Sequence, residues 1–346
     1  MRSLVQLHDA PWRWKVGLQA GLAVGLLVGL FTLAGHQNLG LQAALGSFTA
    51  LYGAGFSRPD RARLLPLVAA GLLLAAALGV VCAGNEWLTS ACLILVSGLA
   101  SVLVLGFRLG PPGPLMFVLV AAVSGHIAAP AALGGAAQPG LRLLALLASG
   151  AALAYLVVVA PLALPGRSRS PAVGLGVLFP RFLLDAGARA VALRVVAAVL
   201  LDSLISQPLG AHRTYWVIIA TMAVLQSSQS RRLTSIRAVH RVAGTLLGIG
   251  VFEVLLLARP AGIWLVGLLM LLQGITEMVV ARNYALALLF ITPMALMNST
   301  AGHATETLVQ VTVQGRILDS LLGAGIAMGV FWLGEGVLYL RAAKNR

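Results

Sequence analysis

This sequence is short of charge. Asp, Glu, Lys and Arg make up 10% of its 346 residues, against roughly 25% in an average soluble domain. The few charges stand singly or in small groups between long runs of Leu, Ala, Val and Gly. Such a chain cannot clothe a water-facing surface, and its mean hydropathy of +0.95 agrees. A soluble enzyme, a disordered chain and a disulfide-stapled secreted domain are excluded. What remains is an all-α polytopic membrane protein whose solvent is the lipid bilayer.

A helix needs about 20 apolar residues to cross the hydrocarbon core, so twelve use about 240 and leave only short connections. The sequence predicts twelve spans. Six fall at Trp14–Ala34, Leu39–Gly55, Leu64–Ala83, Trp87–Phe107, Pro114–Ala132 and Leu141–Leu164. Six more fall at Ala190–Ile205, Tyr215–Ser227, Val239–Leu257, Ile263–Val280, Tyr284–Met297 and Ile317–Leu340. The second, eighth and eleventh are short, as tilted, broken or buried helices would be. Trp14–Ala34 reads as a first span, because no small-residue cleavage site follows a short apolar core. Cys82 and Cys92 lie in or beside apolar stretches and read as two buried thiols.

Lys and Arg set the orientation. With the N-terminus in the cytoplasm, twenty basic residues fall inside, and four, Arg142, Arg213, Arg259 and Arg316, fall outside. That asymmetry predicts an even number of spans, both termini cytoplasmic. The +14 net charge is therefore a topology signal. It is not one basic patch, and nucleic acid is not expected as a partner.

The basic residues also repeat. Lys15/Arg189, Arg58/Arg232, Arg63/Arg237, Arg108/Arg282, Arg142/Arg316 and Arg167/Arg341 are each 174 positions apart. The expected organisation is a first six-helix repeat over 1–164, a cytoplasmic linker over 165–180 and a second six-helix repeat over 181–346. Six spans per repeat give both the same orientation, with a pseudo-two-fold axis along the membrane normal and a pathway between the halves. Gly17, Gly21, Gly25 and Gly29 give the first span a smooth face for close helix packing. Glycine faces of this kind leave a homodimer open.

The second half carries ordered motifs. Tyr215-Trp216 opens the eighth span, which ends in Ala223–Gln226. A basic turn with Arg231, Arg232, Arg237 and Arg241 runs into Gly244-Thr245-Leu246-Leu247-Gly248. Arg282-Asn283-Tyr284-Ala285-Leu286-Ala287 leads to Phe290 and Thr292-Pro293, and Arg316-Ile317-Leu318-Asp319 precedes Gly323-Ala324. In these motifs the chain resembles the fusaric acid resistance family of membrane transporters, also called the aromatic acid exporter group. The resemblance implies export of small organic anions, often aromatic carboxylates, across the bacterial inner membrane. It also implies a periplasmic adaptor protein as a partner of some relatives. Related plant proteins conduct malate as channels, so an anion channel of the same fold stands beside the exporter.

Intramembrane charges are the candidates for chemistry. Arg316 and Asp319 share a helix face at i, i+3. They read either as an intrahelical ion pair or as a substrate contact, since a guanidinium grips a carboxylate through two donors. Arg142 has no acid at i+3 and so has the better claim on an anion. Arg282-Asn283-Tyr284 reads as a positive-inside loop or as an anion-capture site, with Asn283 capping the helix and the Tyr284 ring stacking on substrate. Trp216 is expected to shape the pocket.

Glu277, with Gln273 one turn earlier, reads as a partner of Arg282 or another basic residue, or as a proton carrier. His240 and Asp319 are the other proton-coupling candidates, although His240 beside the Gly244–Gly248 pair also reads as tight packing. Asp202 reaches Arg194 only over two turns, and Glu253 falls at an outer helix end. His126 reads as a core histidine. His303 and Glu306 read as a solvated loop and offer no metal site. No Walker motif or placed Ser/His/Asp set occurs, so neither a cofactor nor an enzyme activity is expected.

Overall fold

The computed structural model describes residues 10, 12–163, 173–174, 176, 182–206, 214–226, 230–300 and 306–344. Every regular element among them is helical. In chain order they are α1 (Trp14–Leu33), α2 (Gln37–Ala43, continued by a 3-10 segment Ala44–Leu51), α3 (Arg58–Cys82), α4 (Glu86–Gly106), α5 (Leu115–Ala128) and α6 (Gly140–Val159). Then come α7 (Ala186–Ser206), α8 (Thr214–Leu225), α9 (Arg231–Leu257), α10 (Gly262–Val279), α11 (Tyr284–Thr300) and α12 (Glu306–Lys344). The linker at 165–180 lies outside the described residues apart from residues 173, 174 and 176, as do Arg213 and His303.

Seven of these helices are long and apolar enough to cross a membrane. The other expected crossings differ for visible reasons. The Leu39–Gly55 stretch breaks after Ala43 into the 3-10 segment. Helices α5, α8 and α11 are apolar but short. Helix α7 carries Arg189, Arg194 and Asp202. Helix α8 is short because it is interior, with Val217 to Leu225 all buried. Helix α12 starts earlier than its apolar run, at Glu306, and takes in the polar stretch before Ile317. Arg316, expected at a helix start, therefore sits ten residues into α12, roughly 15 Å along its axis.

Local chemistry sets the helix starts. Ser57 caps α3 by accepting from the Asp60 amide, and Ser230 caps α9 by accepting from Leu233 at 3.3 Å. Both basic turns thus enter their long helices through a serine. Asn85 caps α4, accepting from Trp87 at 2.9 Å and Leu88 at 3.1 Å.

The packing contacts come in pairs. Helix α3 packs on α5 and α6, and α9 packs on α11 and α12. The 3-10 segment after α2 packs on α6, and α8 packs on α12. Helix α1 meets α2 and α6, while α7 meets α8 and α12. The fourth helix of each set crosses over. Helix α10 lies against α1, and α4 lies against α7. The outer surface is apolar, with Leu74, Val81, Trp264 and Leu333 exposed, while Asp202, Arg241, Glu277 and Arg316 are buried. This inverts the arrangement of a water-soluble protein.

Glycine permits close helix crossings. A Cβ on Gly17 would lie 2.5 Å from the Gly274 carbonyl oxygen, and one on Gly21 would lie 2.7 Å from that of Met270. Gly244 and Gly248 face α11 in the same way, at 2.7 Å from the Ala285 oxygen and 2.6 Å from the Leu288 oxygen. Backbones can approach like this only without side chains between them. Gly21→Leu should therefore lower stability by about 1–3 kcal/mol through overpacking against backbone. Gly267→Leu on the open face of α10, where a Cβ meets nothing within 4 Å, should leave it unchanged. Thermal unfolding of the detergent-solubilised variants checks the difference.

Candidate functional site

A cavity of about 1060 Å³ lies at the centre of the bundle, lined by helices from both sets. Its lining extends from Arg13, at the start of α1, to Asn38 and Gln42 beyond the opposite end of that helix. Among the described residues, five arginines and two carboxylates line it. The arginines are Arg13, Arg108, Arg237, Arg241 and Arg316, and the carboxylates are Asp185 and Glu277.

The second half supplies its most buried charges. Arg316 is 4% exposed and Arg241 is 3% exposed. The Arg316 guanidinium carbon lies 4.1 Å from the centre of the Trp216 ring. Trp216 continues into an aromatic wall, with Tyr215 at 5.2 Å and His126 at 4.9 Å from Tyr215, centre to centre. On α9, Arg237 and Arg241 are one turn apart and share a face. Arg241 Nη1 donates to Tyr284 Oη at 3.1 Å, and the Arg237 guanidinium carbon lies 5.3 Å from the Tyr284 ring centre. Arg237 also donates from Nη1 to the Ala223 carbonyl at 3.2 Å.

These contacts do not saturate the donors. Arg241 Nε and Nη2, and Arg316 Nε and Nη1, are buried without a hydrogen-bond partner. Cation–π contact contributes roughly 2 kcal/mol when desolvated. The effective penalty for burying a charge is several kcal/mol per ion. The cavity is thus a cationic, aromatic-walled space with unspent guanidinium donors.

Glu277 is 7% exposed and accepts from Gln273 Nε2 at 3.4 Å, so the expected one-turn pair is present. The expected ion pair with Arg282 is not. Arg282 instead stacks on Trp12, 4.2 Å from the ring centre. Asp319 lines a side pocket of about 10 Å³ with Arg316, Trp216 and Thr312, outside the main cavity. Asn283 caps α11 as expected, accepting from the Leu286 amide at 2.9 Å, and is 1% exposed. It does not line the cavity, and neither does His240, which is buried on α9. Arg142 is exposed at the start of α6 and lies outside the cavity. Arg194 donates to Glu335 at 2.8 Å, which leaves Asp202 to other partners.

Sequence reasoning missed Arg237 and Arg241 as cavity residues, reading them as a cytoplasmic turn. The signal was their i, i+4 spacing on a helix that is otherwise apolar beyond Arg241. It also missed Gln226, whose Oε1 accepts from the Leu115 amide at 3.1 Å and ties α8 to the start of α5.

An uncharacterized membrane protein of Bacillus subtilis (strain 168), YvaC, is 34% identical over 129 residues, 37% of this chain and 20% of that protein. An uncharacterized protein of Haemophilus influenzae is 28% identical over 170 residues, 49% of this chain and 23% of that one. The chain thus spans less than a quarter of the length of either relative. No solved structure matches it. The apolar helices, together with a membrane-protein relative, make the chain a multi-pass membrane protein. The segment that bears Trp216, Arg241, Tyr284 and Arg316, residues 197–330, matches the family described as fusaric acid resistance protein-like.

Proposed function

We propose that this chain is a secondary transporter that exports small organic anions of the aromatic carboxylate type across the bacterial inner membrane. The observation that carries the reading is the set of unpartnered guanidinium donors on Arg241 and Arg316, buried in a cavity walled by Trp216 and Tyr284. A carboxylate would satisfy those donors by charge-assisted hydrogen bonds. A flat apolar ring attached to it would lie against the aromatic wall.

The family match of the second half supports export. The paired helix contacts support two parallel six-helix repeats, with the linker at 165–180 between them and both termini cytoplasmic. Access alternates as the two repeats rock about the cavity. Glu277 is the cavity carboxylate placed to exchange a proton during that cycle, with the Arg13 charge acting on it. An anion channel is the second reading, and the cavity lining at both ends of α1 is the observation that favours it.

Arg316→Ala and Arg241→Ala should each weaken binding of labelled benzoate roughly 10–100-fold, the loss of about 1.5–3 kcal/mol for hydrogen bonds to a charged group. Arg142→Ala should bind as wild type does. Equilibrium binding to the purified protein measures both, and wild-type affinity in Arg316→Ala would overturn the site. Uptake of labelled benzoate into inverted membrane vesicles should exceed equilibrium when a proton gradient is imposed and collapse with an uncoupler. Equilibration without accumulation would establish the channel instead.

A further inference from the structure

Asp202 lies on α7, outside the cavity, and is fully buried. Its Oδ1 is 2.9 Å from Thr221 Oγ1 on α8, and that hydroxyl is 3.0 Å from the Gly323 carbonyl oxygen on α12. A threonine hydroxyl has one proton to donate. With Asp202 ionised, two acceptors compete for that proton, and one of the two close oxygen pairs has no hydrogen between its atoms. With a proton on Oδ1, the carboxyl donates to Thr221 and Thr221 donates to Gly323, so each contact has its hydrogen. Oδ2, and the Ser206 hydroxyl one turn on, have no partner. A bare carboxylate with one hydrogen bond is costly to bury, whereas a neutral acid is not.

Among the described residues, no cation compensates. On α7 itself, Arg194 lies eight residues away, about 12 Å along the helix, and pairs with Glu335 of α12. Packed against α7, α4 offers buried Cys92 and exposed Glu86, and α8 offers only Tyr215. Helix α12 offers Asp319, one turn before Gly323, and Arg316, which faces Trp216.

We infer that Asp202 is a proton-binding site, neutral in this conformation, and that its proton holds the α7–α8–α12 junction closed. The junction is tight. A Cβ on Gly323 would lie 2.7 Å from the Val217 carbonyl oxygen of α8. Loss of the proton turns the Thr221 hydroxyl away from Gly323 and sets two oxygens against each other at that crossing. Helix α8 carries Trp216 and α12 carries Arg316, so the same crossing sets the geometry of the Arg316–Trp216 contact. The proton site itself does not depend on the transport reading. Its effect on anion binding does.

Infrared spectroscopy of the purified protein at neutral pH tests the site. The wild-type spectrum minus that of Asp202→Asn should show a protonated carboxyl band, and the same band should persist in Glu277→Gln. A carboxylate signal in its place would overturn the inference. Asparagine has the shape of the neutral acid, so the fold should survive. In Thr221→Val the band should shift as its hydrogen bond is lost, and an unmoved band would overturn the relay. Benzoate affinity should change with pH in the wild type, by up to about tenfold per pH unit for one linked proton, and be flatter in Asp202→Asn. Equal pH dependence in the two would overturn the link to the anion site. Absence of benzoate binding in the wild type would count against the transport reading while leaving the infrared result standing.

Discussion

A buried guanidinium with unpartnered donors is the constraint on which this structure turns. Arg241 and Arg316 sit within a helical bundle whose outer surface is apolar, and each keeps donors that nothing in the protein accepts. Ring faces offset part of the desolvation cost, and the Tyr284 hydroxyl offsets more. The donors left over are those the proposed anion would satisfy. Asp319 shares a small side pocket with Arg316 and Trp216, outside the main cavity.

Such a site needs a scaffold that holds like charges together, and glycine supplies it. The α1–α10 and α9–α11 crossings bring backbone to within contact of backbone, so neither pair can slide to relieve repulsion at the cavity. Crossed packing adds to this. With α10 on α1 and α4 on α7, each set of helices is clasped by the other. Glu277 and Gln273 are thereby carried by α10 across to the wall of α1, opposite the arginines of α9 and α12.

Much of this was legible in the sequence, because charge scarcity and basic spacing act at long range and survive local irregularity. The positions of the helices followed from apolar runs, and the α11 cap followed from Asn283. What failed was the depth of particular residues. The β-branched and polar stretch before Ile317 hides the first turns of α12, which misplaced Arg316 at a helix end. Arg237 and Arg241 read as a cytoplasmic turn because positive-inside counting cannot tell an arginine at the interface from one facing a cavity. Arg142 looked better than Arg316 because sequence spacing shows an acid at i+3 but not which arginine faces the cavity.

The first half shows what the second half would be without its site. Arg61, two residues before the Arg63 that matches Arg237 in the repeat spacing, is buried near the start of α3. Its guanidinium donates to the carbonyls of Tyr52 and Ala50, at 3.2 and 2.6 Å, and to Gln19 Oε1 at 2.7 Å. Every nitrogen is satisfied, and no anion is called for. In the second half, Arg237 keeps one such carbonyl bond, to Ala223, and turns toward the Tyr284 ring. The same contrast holds one layer away. Ser47, 174 positions before Thr221, donates to the Ala23 carbonyl at 3.3 Å, and Val28 stands 174 positions before Asp202. The first half also leaves buried polar atoms without partners, Gln42 Oε1 and Thr49 Oγ1 among them, but those are neutral, whereas the second half leaves guanidinium donors and a carboxyl oxygen of Asp202 unpartnered.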